Sequence, residues 1–169
     1  MMHLNWIAVV CAAIIPLLTG FVWYNPKTFG TIWMNAAGVS PEQSEGKGMN
    51  MPLIFGMTFL FGLFLAGGLL PAVIHQMHYY SILMGNNDLA NPDSEVSKAA
   101  KAFMDVNGSN FRTFKHGMLH GSMAGLFIAL PVLGVNALFE GKGRTYILVN
   151  AGYWILTLGL MGGVVCAFA

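Results

Sequence analysis

Four histidines stand out in a chain that is otherwise chemically quiet. His75 and His78 lie three apart in HQMHYY, and His116 and His120 lie four apart in KHGMLHGSMAG. Residues three or four apart on a helix share one face, so each pair can present two imidazoles in one direction. Neutral imidazole is a ligand for zinc, copper and iron, and two imidazoles can hold a haem. Asp88, Asp93 and Asp105, between the two pairs in sequence, could add oxygen ligands. Two other roles suit the same residues. Histidine has an apolar body and a polar tip, which fits a helix end at a membrane surface. Its ring also titrates near neutrality and could make a contact respond to pH. There is no HExxH, no cysteine-rich metal pattern, no GxSxG elbow and no P-loop. No catalytic residue is therefore assigned, and no cofactor-binding residue beyond the four histidines. The twelve methionines are scattered and read as flexible packing rather than a metal relay.

Composition says where these histidines sit. Of 169 residues, 56% are hydrophobic and only 9% charged, where a soluble domain carries about 25% charged. The mean hydropathy is +0.62. This is the balance of a membrane protein, with lipid as its first partner. A formal net charge of +1 argues against nucleic acid as another. Cys11 and Cys166 lie in apolar segments without metal-type spacing and read as buried free thiols. The first apolar run follows no Lys or Arg and ends in FVWYNP, without a small-residue cleavage site. It reads as a retained span rather than a removed signal.

A helix that crosses a bilayer needs about 20 apolar residues. Four stretches qualify, at about 4–24, 52–80, 118–139 and 146–168. The expected fold is an all-α integral membrane protein, a single membrane domain over 1–169 with four transmembrane helices. Trp6, Trp23, Tyr24 and Trp33 are expected as interfacial anchors. The second stretch stays largely apolar to about Met84, or roughly 50 Å of helix, against a hydrocarbon core of about 30 Å. Its last turns, with His75 and His78, should therefore lie at or beyond the interface, with Pro71 bending the helix. A hairpin of spans two and three then brings both histidine pairs to one membrane side.

The middle loop carries its own pattern. Asn91 and Pro92 read as N-cap and first residue of a short amphipathic helix at about 92–106, ended by Asn107-Gly108. Lys101 and Asp105 can pair along it. It reads as a cap on the bundle or the membrane surface. Between the first two spans lies a loop holding Lys27, Glu42, Glu45 and Lys47. Lys and Arg number four in the middle loop and four in the two outer loops together, so the positive-inside rule assigns no orientation.

Small residues mark the helix seams. Gly117, Gly121 and Gly125 repeat every four, as do Gly159, Gly163 and Ala167. In lipid, close backbone approach and interhelical hydrogen bonds hold helices together. Asn150 is expected to supply such a bond. No Asp, Glu, Lys or Arg lies deep in a span, which argues against a proton pump or ion-coupled transporter.

Two stretches resemble a known family. WYNPKTFGTIWMNAAGVS, from Trp23 to Ser40, resembles the W-Y-x-P-x-x-F-G-x-x-W-M motif after the first span of a membrane family catalogued as domain of unknown function 1761. NALFEGKGRTYILVNAGYWILTLGLMGG, from Asn136 to Gly163, resembles its closing motif, in which N-A-L-F-E leads through a short basic turn to N-A-G-Y. The resemblance implies a small four-span protein of the bacterial cytoplasmic (inner) membrane and brings no activity with it. The leading expectation is thus a non-enzymatic accessory or scaffold subunit of a membrane complex, or a homo-oligomer. The alternative is a metal- or haem-binding redox protein built on His75, His78, His116 and His120, with zinc, copper, iron or haem as the group held.

Overall fold

The computed structural model describes residues 4–40 and 50–169; Glu42, Glu45 and Lys47 fall outside them. The described chain is all helical. Its elements are α1 (Trp6–Trp23), α2 (Gly30–Ala37), α3 (Met51–Val73), α4 (Gln76–Leu83), a 3₁₀ turn (Asn87–Ala90), α5 (Glu95–Asn107), α6 (Phe114–Ala124), a π-helical stretch (Gly125–Ala129), α7 (Leu130–Phe139) and α8 (Arg144–Phe168). Among the described residues, four helices are long and apolar enough to cross a membrane: α1, α3, the continuous Phe114–Phe139 rod and α8.

The last helix is the hub. Buried residues make up 56% of its spanning window, against 11% for the Phe114–Phe139 rod. The rod lies along α8 through its glycines. A Cβ at Gly117 would strike the Gly162 carbonyl, one at Gly121 the Leu158 carbonyl, and one at Gly125 would lie 2.5 Å from the Ile155 Cα. Only a hydrogen at these positions lets the two backbones approach so closely. Gly163 receives the Phe114 ring in the same way. On the other side α1 meets α3 where Gly62 lies against the Ala13 carbonyl.

Polar bonds pin α1 to α8 at depth. Pro16, inside α1, has no N–H to donate, and the Tyr153 hydroxyl donates to the Pro16 carbonyl at 2.7 Å. The Thr19 and Thr157 hydroxyls bond each other at 2.8 Å. The π-helical stretch has a local cause. Pro131, second residue of α7, cannot donate to the preceding turn and crowds it. One widened turn accommodates the ring without breaking the rod.

Two boundaries differ from the sequence reading. The second span ends at Val73 rather than near residue 80, because Ile74 is extended, with φ −110° and ψ 91°. At about 1.5 Å per residue, Met51–Val73 already crosses a core of about 30 Å. Beyond it the chain is free to turn and pack in the polar layer as α4. The loop helix starts at Glu95, not Pro92. Ser94 is its N-cap, accepting from the Ser97 N–H at 3.1 Å. Asn91 instead closes a turn, its side chain accepting from the Asp93 N–H at 3.0 Å. A serine three residues further on offers a competing cap of equal quality. The Lys101–Asp105 pair forms at 2.6 Å.

Candidate metal centre and the family motifs

His75 occupies the corner between α3 and α4, in the turn that follows extended Ile74. His116 and His120 stand one turn apart in α6, whose first turn is capped by Thr113, with its hydroxyl accepting from the His116 N–H at 3.2 Å. The three rings converge. Their centroids lie 4.9 Å apart for His75–His116, 5.0 Å for His75–His120 and 4.4 Å for His116–His120. The Nε2 atoms of His75 and His116 are 2.9 Å apart. One ligand nitrogen from each of the three lies within 4.8 Å of the others.

This spacing suits a small ion. In a tetrahedral zinc site with Zn–N bonds of about 2.0–2.1 Å, ligand nitrogens stand about 3.4 Å apart. The His75–His116 distance of 2.9 Å lies just under that value, and all three ligand nitrogens lie within 4.8 Å of one another. The 2.9 Å between His75 and His116 brings that pair close enough to share one small ion. The donor set, three imidazoles, suits zinc, copper or iron.

His78 lies outside the group. It belongs to α4, which packs on the loop helix through Tyr79 stacked on Phe103, with ring centroids 4.6 Å apart. The corner at Ile74 therefore turns His75 toward α6 while the element after it follows α5. Among the described residues no carboxylate joins the three histidines. Asp105 pairs with Lys101.

The His75 ring is held below its ordinary pKa, first by partial desolvation and then by neighbouring His120 and His78. A lowered value keeps the ring neutral, the form that binds a metal.

The corner is built by residues that sequence reasoning passed over. Phe111 takes a left-handed conformation, φ 63°, uncommon for a bulky side chain. Its ring lies 5.1 Å from that of His116 and 6.3 Å from that of His75, closing one flank of the cluster. Gln76 is buried, and its amide donates to the carbonyls of Asn110 at 2.8 Å and Asn107 at 3.3 Å. Arg112 donates to the Cys166 carbonyl at 2.9 Å and to the Ala169 carbonyl, tying this segment to the end of α8. The Cys166 thiol donates to the carbonyls of Val73 at 3.2 Å and Phe111 at 3.3 Å. Cys166 is buried, but Cys11 is exposed on the outer face of α1, which corrects its reading as a buried thiol. Only the Asn-Gly-Ser-Asn run before Phe111 hinted at a turn able to hold such a backbone.

The two family motifs meet at the opposite end of the bundle. Trp23 donates from its indole N–H to the Val149 carbonyl at 3.1 Å. The Tyr24 hydroxyl donates to the Asn150 side-chain oxygen at 2.8 Å. Trp33 packs edge-on against Tyr24, with centroids 5.4 Å apart. Burial, then neighbouring Tyr153 and Tyr146, pushes the Tyr24 hydroxyl up from its ordinary pKa, so it stays a donor. Trp6 is 65% exposed at the start of α1, on the histidine end. The WYNP stretch and the NAGY stretch are thus two halves of one contact.

No curated protein and no solved structure matches this chain. A family model does, over residues 7–166. That model spans both motifs and nearly all of the four apolar helices, and the chain accordingly belongs to the family described as protein of unknown function DUF1761.

Proposed function

We propose that this multi-pass membrane protein binds one transition-metal ion through His75, His116 and His120, with zinc the best fit. The observation that carries the reading is the convergence of three imidazoles from two separate segments, within 4.8 Å. Packing alone does not require it. Like rings at this distance repel once protonated, so the cluster favours the neutral, metal-binding form. A shared metal ion would hold all three rings in the neutral form and give their convergence a role. Three protein ligands leave a fourth position for water or another molecule, the pattern of catalytic and exchangeable zinc rather than closed structural zinc. The site lies beside the end of a candidate spanning helix, which supports a position at the membrane surface. We take that membrane to be the bacterial cytoplasmic membrane, on the resemblance carried by the WYNP and NAGY motifs.

An accessory or scaffold role has less support. The glycine stripes that suggested helix–helix seams face α8 within the same chain, and the loop helix rests on α4 through Phe103 and Tyr79. The visible spectrum of the cobalt-substituted protein tests the metal reading. Intense bands typical of tetrahedral cobalt, lost in His120→Ala, are expected; a spectrum indistinguishable from free aqueous cobalt would overturn it.

A further inference from the structure

An apolar groove begins one helical turn along the rod from His120. It has a volume of about 460 Å³ and is walled by α3, the Phe114–Phe139 rod and α8, with Trp154 and Leu158 among its lining residues. Ala124, in its wall, follows His120 by four residues on the same helix face, about 6 Å deeper. Ala72, in the opposite wall, closely precedes His75. All lining residues are non-polar. The wall formed by Phe64 to Ala72 gives the groove a length of about 12 Å. The groove thus starts one turn along the rod from His120 and three residues before His75 in the chain.

The charges at the two ends differ in a way that selects an occupant. Three neutral imidazoles leave a bound divalent ion with its full charge, and no acidic side chain among the described residues joins them. A carboxylate is an oxygen ligand that zinc accepts readily. The groove below accepts only hydrocarbon. Resting on the metal reading above, we propose that the two together form one bipartite site for a long-chain carboxylic acid. Its carboxylate takes the fourth position on the metal, and its chain lies in the groove against Trp154. The acid would enter sideways from the bilayer, since the groove lies at the depth of the spanning helices.

Quenching of Trp154 fluorescence by dibromostearate tests this on the zinc-loaded full chain in detergent micelles. Saturable quenching is expected, absent in Trp154→Phe. It should weaken roughly tenfold in apparent affinity after zinc removal, in His116→Asn, and with the methyl ester of the same acid. Ala124→Phe, which fills the groove one turn below His120, should weaken it similarly while zinc stays bound. Equal quenching by the methyl ester, or by the zinc-free chain, overturns the proposal and shows a groove merely wetted by lipid. A bromoalkyl phosphate preferred over the carboxylate also overturns it. Zinc analysis of the same samples separates the two claims. A chain that holds zinc but shows no zinc-dependent quenching overturns this inference alone; a chain without zinc overturns the metal reading and this one with it.

Discussion

His75 and His116 face each other with their Nε2 atoms 2.9 Å apart, across 41 positions of sequence. Such a contact needs at least one neutral ring, because two imidazolium ions offer only donors. The pair is thus a junction between the second and third spans that proton or metal ion can alter.

Acid should loosen this corner. The folded His75 pKa is lowered from its ordinary value of 6.5, so below that pH the unfolded chain binds more protons than the folded one. Stability from this group is full above about pH 6.5 and is lost as pH falls toward the folded value. The metal-free protein should melt at a lower temperature near pH 5.5 than near pH 7.5, and His75→Ala should shrink the difference. A melting temperature that climbs on acidification contradicts the assignment.

The α6–α8 seam should tolerate no side chain. Gly121→Ala puts a methyl group against the Leu158 carbonyl, an overpacking that costs about 1–3 kcal/mol. Gly67→Ala has nothing within 4 Å of its new Cβ and should be neutral or stabilising by about 0.5–1 kcal/mol through helix propensity. Unfolding in mixed micelles compares them; equal stability of the two variants would refute the seam.

The two family motifs should be coupled energetically. The Tyr24–Asn150 bond joins them at 2.8 Å. Interhelical hydrogen bonds of this kind average about 0.6 kcal/mol. A double-mutant cycle with Tyr24→Phe and Asn150→Leu should return a coupling of that size, and strict additivity would show that the contact is incidental.

Arg112 touches none of the histidines, yet its loss should weaken metal binding. It fastens the segment carrying Phe111 to the carbonyls of Cys166 and Ala169, and Phe111 flanks the cluster. Arg112→Ala should lower zinc affinity by roughly 10-fold, the usual scale for supporting residues. Competition with a chelator measures this; wild-type affinity in the variant would detach the segment from the site.

Hydropathy revealed the four spans because the bilayer demands long apolar helices and leaves few alternatives. The ends were harder. Nothing in the apolar run 52–84 announces extended Ile74, or that Gln76 just after it bonds to backbone carbonyls some thirty residues on. The same turn decides the histidines. Spacing brought both pairs to one end of the bundle, but only the corner at Ile74 directs His75 toward His116 and His120 and leaves His78 with α4. Phe111 and Arg112 act through a backbone conformation and carbonyl bonds, neither of which leaves a periodic trace.

Metal content of the purified protein and its histidine variants tests the central claim most directly. After loading with zinc and removal of excess, one ion per chain is expected in the wild type and in His78→Ala. The content should fall to near zero in His75→Ala, His116→Ala and His120→Ala, each still folded by helical content. Zinc absent from the wild type, or retained equally by all four variants, would contradict a three-histidine site.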